Sequence, residues 1–384
     1  WWDLHELFIT MNSADNPGYL DKIAPQVDVD QWARWFAYMT IVLSRETNLS
    51  NGTDDDYKMY RGIEDPRFKL IPHDFDTIFG LGDTSTNPDA SLFPPITNYA
   101  GQTMPQLVPF FADPDICRLY YAYLQDLLTS VFTKQQFDAT VVNCLDWVPV
   151  ESGVHGNIIG FMDERRAHIL AQIPRTFSVT STLPTSDGYF RSDEATTSDI
   201  EGTLDATRTK AVLVAGQPAV LDVRAGTWSL ASEIPLQPGI NMVPVVALDP
   251  GGASIWNENL PIWFDTGTAT IVSGTLSGST TWTAANGPYV VSADITIPAG
   301  SSLTIEPGTS VFFAAGQRIT VYGRLAAEGT SGARITLAGQ AGASWDGVYF
   351  ADSLEENRLA FVDMTGSDAA SHSIEVLRSR LAID

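Results

Sequence analysis

Residues 67–80 read Arg67-Phe-Lys-Leu-Ile-Pro-His-Asp-Phe-Asp-Thr-Ile-Phe-Gly80, and this stretch decides how the first part of the chain is read. A β run over Arg67 to Ile71 ends at Pro72. Two carboxylates follow, Asp74 and Asp76, with one residue between them. In an extended backbone such residues share a face. Gly80 and Gly82 permit tight backbone afterwards. Carboxylates at the end of a strand suit a hard cation such as Mg²⁺, which takes oxygen ligands and bridges substrate phosphates. A solvated acidic loop is the plainer alternative in a chain this acidic.

Upstream, Tyr57-Lys-Met-Tyr60 is a second strand-like run, and Gly62 to Pro66 supplies turn chemistry, so the two runs predict a hairpin. Further upstream, Asp28-Val-Asp30 can cap a helix whose apolar residues Trp32, Trp35, Phe36, Met39 and Leu43 recur at helical spacing. Downstream, helices fit Ile116 to Val131, Lys134 to Leu145 and Asn157 to Ile173. The first of these places Ile116, Leu119, Tyr123, Leu127 and Val131 on one face. Residues 1–178 therefore read as mostly helical with one hairpin, and residues 179–201, rich in Ser, Thr and Asp, read as a linker.

Beyond the linker the chain turns to β structure. Ala211–Val214, Ala219–Val223, Thr227–Leu230 and Met242–Leu248 are separated by Gly, Pro and Asp turns, which predicts a small Ig-like β-sandwich over residues 202–268. From 269 to 384 short runs repeat without helices: Ile295–Ile297, Leu303–Ile305, Val311–Phe313, Ile319–Val321, Ile335–Leu337, Val348–Phe350, Leu359–Phe361 and Ile374–Val376. Such a rhythm suits a solenoid in which each coil buries its apolar side against its neighbours.

Composition bounds the function. A chain of 384 residues exceeds one typical core. A hydrophobic fraction of 44% with 18% charged residues excludes a disordered chain. No apolar run is long enough to span a membrane. With 22 basic against 46 acidic residues, net −24, the chain is ill-suited to nucleic acid or to an anionic membrane surface. Acidity favours solubility and attraction of metal cations. The two cysteines, Cys117 and Cys144, make no disulfide framework; one disulfide and two buried thiols both fit. His5, His155, His168 and His372 form no ligand spacing, and His73 suits packing or hydrogen bonding better than catalysis. The sequons at Asn48-Leu-Ser50 and Asn51-Gly-Thr53 are taken as chance matches. The start, Trp1-Trp2-Asp3, and the strand-like end, Arg378 to Asp384, lead us to expect a piece of a longer protein with further solenoid coils after Asp384.

The string Ile71-Pro-His-Asp-Phe-Asp-Thr-Ile-Phe-Gly80, preceded by Asp56-Tyr-Lys-Met-Tyr-Arg61, resembles the spore coat protein H (CotH) kinase family. The helix start Val27-Asp-Val-Asp-Gln-Trp32 and the late helix Arg165-Arg-Ala-His-Ile-Leu170 fit its layout, so the resemblance covers about residues 1–175. It implies the mostly helical C-lobe portion of an α+β atypical kinase that transfers phosphoryl from ATP, with Mg or Mn, to protein Ser or Thr. Such catalysis is mainly positioning and charge neutralisation. By motif position Asp74 is the metal ligand, Asp76 a second carboxylate for metal, Asp56 a further cation ligand and Glu46 the catalytic base. Glu46 departs from the family, which commonly has Asp there. The nucleotide-anchoring Lys has no counterpart, since Lys22 is the one Lys before Glu46 and reads as a surface residue. The chain alone is therefore expected to be inactive.

Residues 295–350 resemble the right-handed parallel β-helix of bacterial surface and exported proteins, which implies an exported, extracellular or cell-surface location. Some relatives are polysaccharide lyases, but Arg318, Arg324 and Arg334 have no carboxylate cluster beside them, so a spacer or carbohydrate-binding role is expected instead. The chain is thus expected to be multidomain: a kinase-like part, a sandwich and an incomplete β-helix. The alternative to an exported kinase is a non-catalytic surface or adhesion protein that carries a relic kinase-like domain.

Overall fold

Asp28 starts the helix on which the first region is built. Its side chain accepts from Gln31 N at 3.3 Å and caps α3 (Val29–Val42), after α1 (Trp2–Met11) and α2 (Tyr19–Ile23). The computed structural model describes residues 2–12, 18–44, 57–82, 87–93, 107–148, 153–186, 189–267, 269–340, 343–367 and 372–384. α3 buries Trp32, Trp35, Phe36 and Met39, and Phe36 meets Phe110 and Phe111 of α4 (Val108–Ala112) at 5.8 and 5.2 Å. The hairpin is formed by β1 (Tyr57–Arg61) and β2 (Phe68–Pro72), paired antiparallel from Tyr57↔Pro72 to Arg61↔Phe68. A two-stranded ribbon needs a support to be stable, and α3 supplies it. The Gln31 amide donates to Leu70 O at 2.7 Å and its oxygen accepts from Leu70 N at 3.0 Å. Trp32 Nε1 donates to Phe68 O at 2.9 Å.

α5 (Pro114–Ser130), α6 (Lys134–Leu145) and α7 (Val154–Gln172) complete the helical region. The buried stripe of α5 differs from the expected one. Ile116, Cys117, Tyr120, Tyr121, Leu124 and Leu128 face the core, whereas Val131 is 57% exposed. The two tyrosines can be buried because their hydroxyls find partners: Tyr120 donates to Leu92 O and accepts from Thr40 Oγ1, and Tyr121 donates to Arg224 O. Both cysteines are free, Cys117 buried and Cys144 exposed. Burial pushes the Cys117 thiol up to about 12, so it stays protonated and unreactive at neutral pH. Ellman titration is expected to find one reactive thiol in the folded chain and two after denaturation.

The stretch expected as a linker is built into sheets. It supplies β3 (Thr180–Ser181), β4 (Thr185–Ser186), β5 (Tyr189–Ser192), β6 (Thr196–Thr197) and β7 (Ile200–Thr203). They share sheets with β8 (Ala211–Val214), β9 (Gln217–Pro218), β10 (Val220–Asp222), β11 (Thr227–Ser229), β12 (Ile234–Pro235), β13 (Gly239–Leu248) and β14 (Ser254–Phe264), joined directly by β5 to β14, β6 to β12 and β7 to β11. The sheets run β10-β11-β7-β3, β12-β6 and β4-β5-β14-β13-β8-β9. Gly202 in β7 lies opposite Trp228, and a Cβ there would sit 1.9 Å from Ser178 O.

From residue 270 parallel ladders stack into a β-solenoid of about four turns. The strand Tyr289–Ile297 serves two faces: 289–291 pair with 311–313, and 295–297 pair with 319–321. A third ladder aligns Leu303 with Leu325. Ile295, Ile319, Val348, Leu303, Leu325, Val311 and Leu337 fill the interior, where Phe313 stacks on Trp345 at 4.0 Å. Asn357 is fully buried and satisfied: it accepts from Leu325 N and donates to Ser353 Oγ and Arg380 O.

The three regions are joined by packed contacts. One apolar cluster runs from the helices into the middle sheets without a break. Across that joint, Arg224 lies over the Phe93 ring at 4.2 Å, Lys210 pairs with Asp115, and Ala206 N donates to Pro174 O at 3.0 Å. The solenoid meets the middle sheets where Tyr189, Ile240 and Trp263 pack on Phe312 and Ala338. Ile240 N also donates to Ser310 Oγ at 2.8 Å. Among the described residues, no helix is long and apolar enough to cross a membrane.

Candidate functional site

The chain leaves β2 at Pro72 and turns almost at once. Asp74 has φ +57°, in the left-handed region that Asp tolerates better than most residues. The expected extended run, with both carboxylates on one face, is therefore replaced by a turn. Its buried side is anchored. Thr77 is buried, Phe79 N donates to Val42 O at 2.9 Å, and the Phe79 ring meets Phe137 at 5.2 Å. Phe75 meets Tyr38 edge-on at 6.1 Å. Gly82, at φ +97°, folds against Thr77 so closely that a Cβ would lie 2.7 Å from Thr77 Cγ2. This contact requires glycine.

Asp74 and Asp76 are both exposed, and neither forms an ion pair among the described residues. His73 is exposed too, so the packing expected of it is not seen. Lys22 is exposed, as expected of a surface residue. Glu46 and Asp56 lie outside the described residues. The structure thus brings the end of α3 against the Asp74–Asp76 turn through the Val42–Phe79 bond and does not place the other two candidates.

Two unpaired carboxylates are hard oxygen donors, and their chemistry fits Mg²⁺ or Mn²⁺ rather than a soft metal. Among the described residues, no group of three or more His, Cys, Asp or Glu is arranged to hold a metal. Mg²⁺ characteristically keeps several waters and uses one or two carboxylates plus substrate phosphates, so a pair is a sufficient protein share.

Arg165, in α7, has no role in the sequence reading. It is fully buried, yet its guanidinium donates to Thr40 O, Pro88 O and Ala90 O. Burial lowers its pKa to about 10, which still leaves it charged. A sequence signal existed. Ile158, Met162, Arg165 and Ile169 follow helical spacing, so Arg165 lies on the buried stripe of α7.

A depression of about 340 Å³ beside the turn is lined by Gln31, Arg34, Trp35, Tyr38 and Leu127. Tyr38 links it to Phe75.

Residues 1–145 match the family model described as CotH kinase protein. The match ends with α6 and leaves α7, the middle sheets and the solenoid outside it. No curated protein matches the chain.

Proposed function

We propose that this chain, whose residues 1–145 match the CotH kinase family model, serves metal-dependent phosphoryl transfer from ATP to Ser or Thr of a protein substrate. The observation that carries the reading is the Asp74–Asp76 turn, two unpaired hard donors held against the end of α3 inside the family match. Asp74 and Asp76, with Asp56, would hold Mg²⁺ or Mn²⁺, which when bound neutralises phosphate charge. Glu46 would accept the proton of the acceptor hydroxyl. The depression lined by Tyr38, whose ring meets Phe75 of the turn, would offer room for an acceptor segment.

In this reading residues 1–178 are the helical part of an atypical kinase and the middle sheets are an Ig-like sandwich. The solenoid is a right-handed β-helix that acts as a spacer or carbohydrate-binding element on an exported or cell-surface protein. The reading concerns the activity of the full-length protein. Its test is phosphate incorporation from labelled ATP with Mg²⁺ or Mn²⁺, using full-length wild type and Asp74→Asn. Metal-dependent incorporation lost in the variant supports it. No incorporation by wild type, or equal incorporation by both, would favour a surface or adhesion protein with a relic domain.

A further inference from the structure

We propose that Arg165 is a positioning residue for the Asp74–Asp76 turn, acting by clamping the last turn of α3 to the segment at residues 88–92. The proposal deepens the functional reading above and rests on it only for the metal.

The end of α3 explains why a clamp is needed. Leu43 has φ +51°, and both Leu43 N and Ser44 N donate to Met39 O. The Thr40 carbonyl, which would ordinarily accept from Ser44 N, is left without that bond, as helix ends leave such groups. Arg165 Nε and Nη2 take it at 3.1 and 2.9 Å. The other arm of the fork donates to Pro88 O at 2.8 Å and to Ala90 O. Tyr120 repeats the bridge beside it, accepting from Thr40 Oγ1 at 2.8 Å and donating to Leu92 O. Thr40 is thus held through both its carbonyl and its hydroxyl.

Two residues on, Val42 O receives Phe79 N at 2.9 Å. Phe79 ends the turn that begins at Asp74, and Gly82, three residues beyond it, is folded back onto Thr77. The path from guanidinium to carboxylates is therefore short: Arg165, Thr40, Val42, Phe79, Asp76. A buried charge is an expensive way to fill space, and Arg165 has no carboxylate in an ion pair with it among the described residues. A Met or Leu would fill the volume without desolvating a cation. What they lack is a rigid planar fork that can hold carbonyls from two separate segments at once. Arg224, stacked on Phe93 from the middle sheets, presses on the same segment one residue beyond Leu92.

The experiment uses the whole chain with Arg165→Lys, Arg165→Met and Tyr120→Phe. Two readouts are taken: amide exchange of the peptide spanning 75–82, compared with peptides of α5 and the solenoid, and Mn²⁺ affinity by calorimetry. Tyr120→Phe keeps the packing, so the test survives if the Arg165 variants do not fold. Loss of outer supports of a metal site typically weakens binding about 10–100-fold, and we expect the low end of that range for Arg165→Lys and more for Arg165→Met. Exchange at 75–82 should accelerate selectively, with Tyr120→Phe moving it in the same direction by less. Wild-type exchange at 75–82 in a folded Arg165→Lys or Tyr120→Phe chain overturns the clamp. So does acceleration that is uniform across α5 and the solenoid, since that is a purely structural loss. If wild type binds no Mn²⁺, the functional reading fails by itself and the exchange comparison still decides the clamp.

Discussion

Asp74→Asn is expected to weaken sharply the Mg²⁺ or Mn²⁺ binding proposed for the Asp74–Asp76 turn, as calorimetry on the folded chain should show. The variant is chosen for its backbone as much as for its charge. At φ +57° an Ala would add strain of about 1–2 kcal/mol, whereas Asn tolerates the left-handed region. Asn therefore isolates the loss of the carboxylate. With only two carboxylates in the turn, removing one halves the charge that attracts the cation, and affinity in such sites follows ligand charge. A drop of at least about 100-fold is expected, since removing even an outer support costs about 10–100-fold. Asp76→Asn should weaken binding in the same direction by less. Stability should change by no more than about 0.5 kcal/mol in either variant, because both residues are exposed and unpaired. Undiminished binding by Asp74→Asn would show that the turn is only a solvated acidic loop.

How far the sequence shows these features varies with the range of the contacts involved. The hairpin, α3, α6 and the solenoid are legible because each is announced locally, by turn residues, a cap or regularly spaced apolar runs. The strands β3 to β7 are not. They are two to four residues long, and their partners, such as β14 for β5 and β11 for β7, come from far along the chain. A Ser- and Thr-rich stretch gives no periodicity from which such pairing could be read. The buried face of α5 differs from the one its spacing predicts for a related reason. Tyr120 and Tyr121 are buried by virtue of hydroxyl partners on other elements. At the site, the paired carboxylates are evident in the sequence. The left-handed backbone at Asp74 is not, because nothing in the local pattern announces it, and the Phe79–Val42 bond that accompanies it is tertiary.

Residues 1–178, expressed without the rest, should aggregate or melt without a cooperative transition. The boundary looks natural in the sequence, but it cuts through one core. Tyr121, Ile169 and Ile173 belong to the same buried cluster as Ile200, Leu204, Val223, Trp228 and Leu230. Truncation also strips Tyr121 of its acceptor, Phe93 of the Arg224 guanidinium and Asp115 of Lys210. Each large apolar side chain returned to water costs about 1.5–3 kcal/mol, so a few suffice to exhaust a typical stability of about 5–15 kcal/mol. In the intact chain the helices and middle sheets should accordingly unfold together. Gly226→Val tests the same joint without deletion. Gly226 has φ +72°, and a Cβ there would sit 2.2 Å from Pro174 Cβ. Overpacking of about 1–3 kcal/mol adds to about 1–2 kcal/mol of left-handed strain, for an expected loss of at least about 3 kcal/mol in urea unfolding. Two separate transitions in the intact chain, or a soluble 1–178 fragment that melts where the intact helices do, would show that the middle sheets are merely appended.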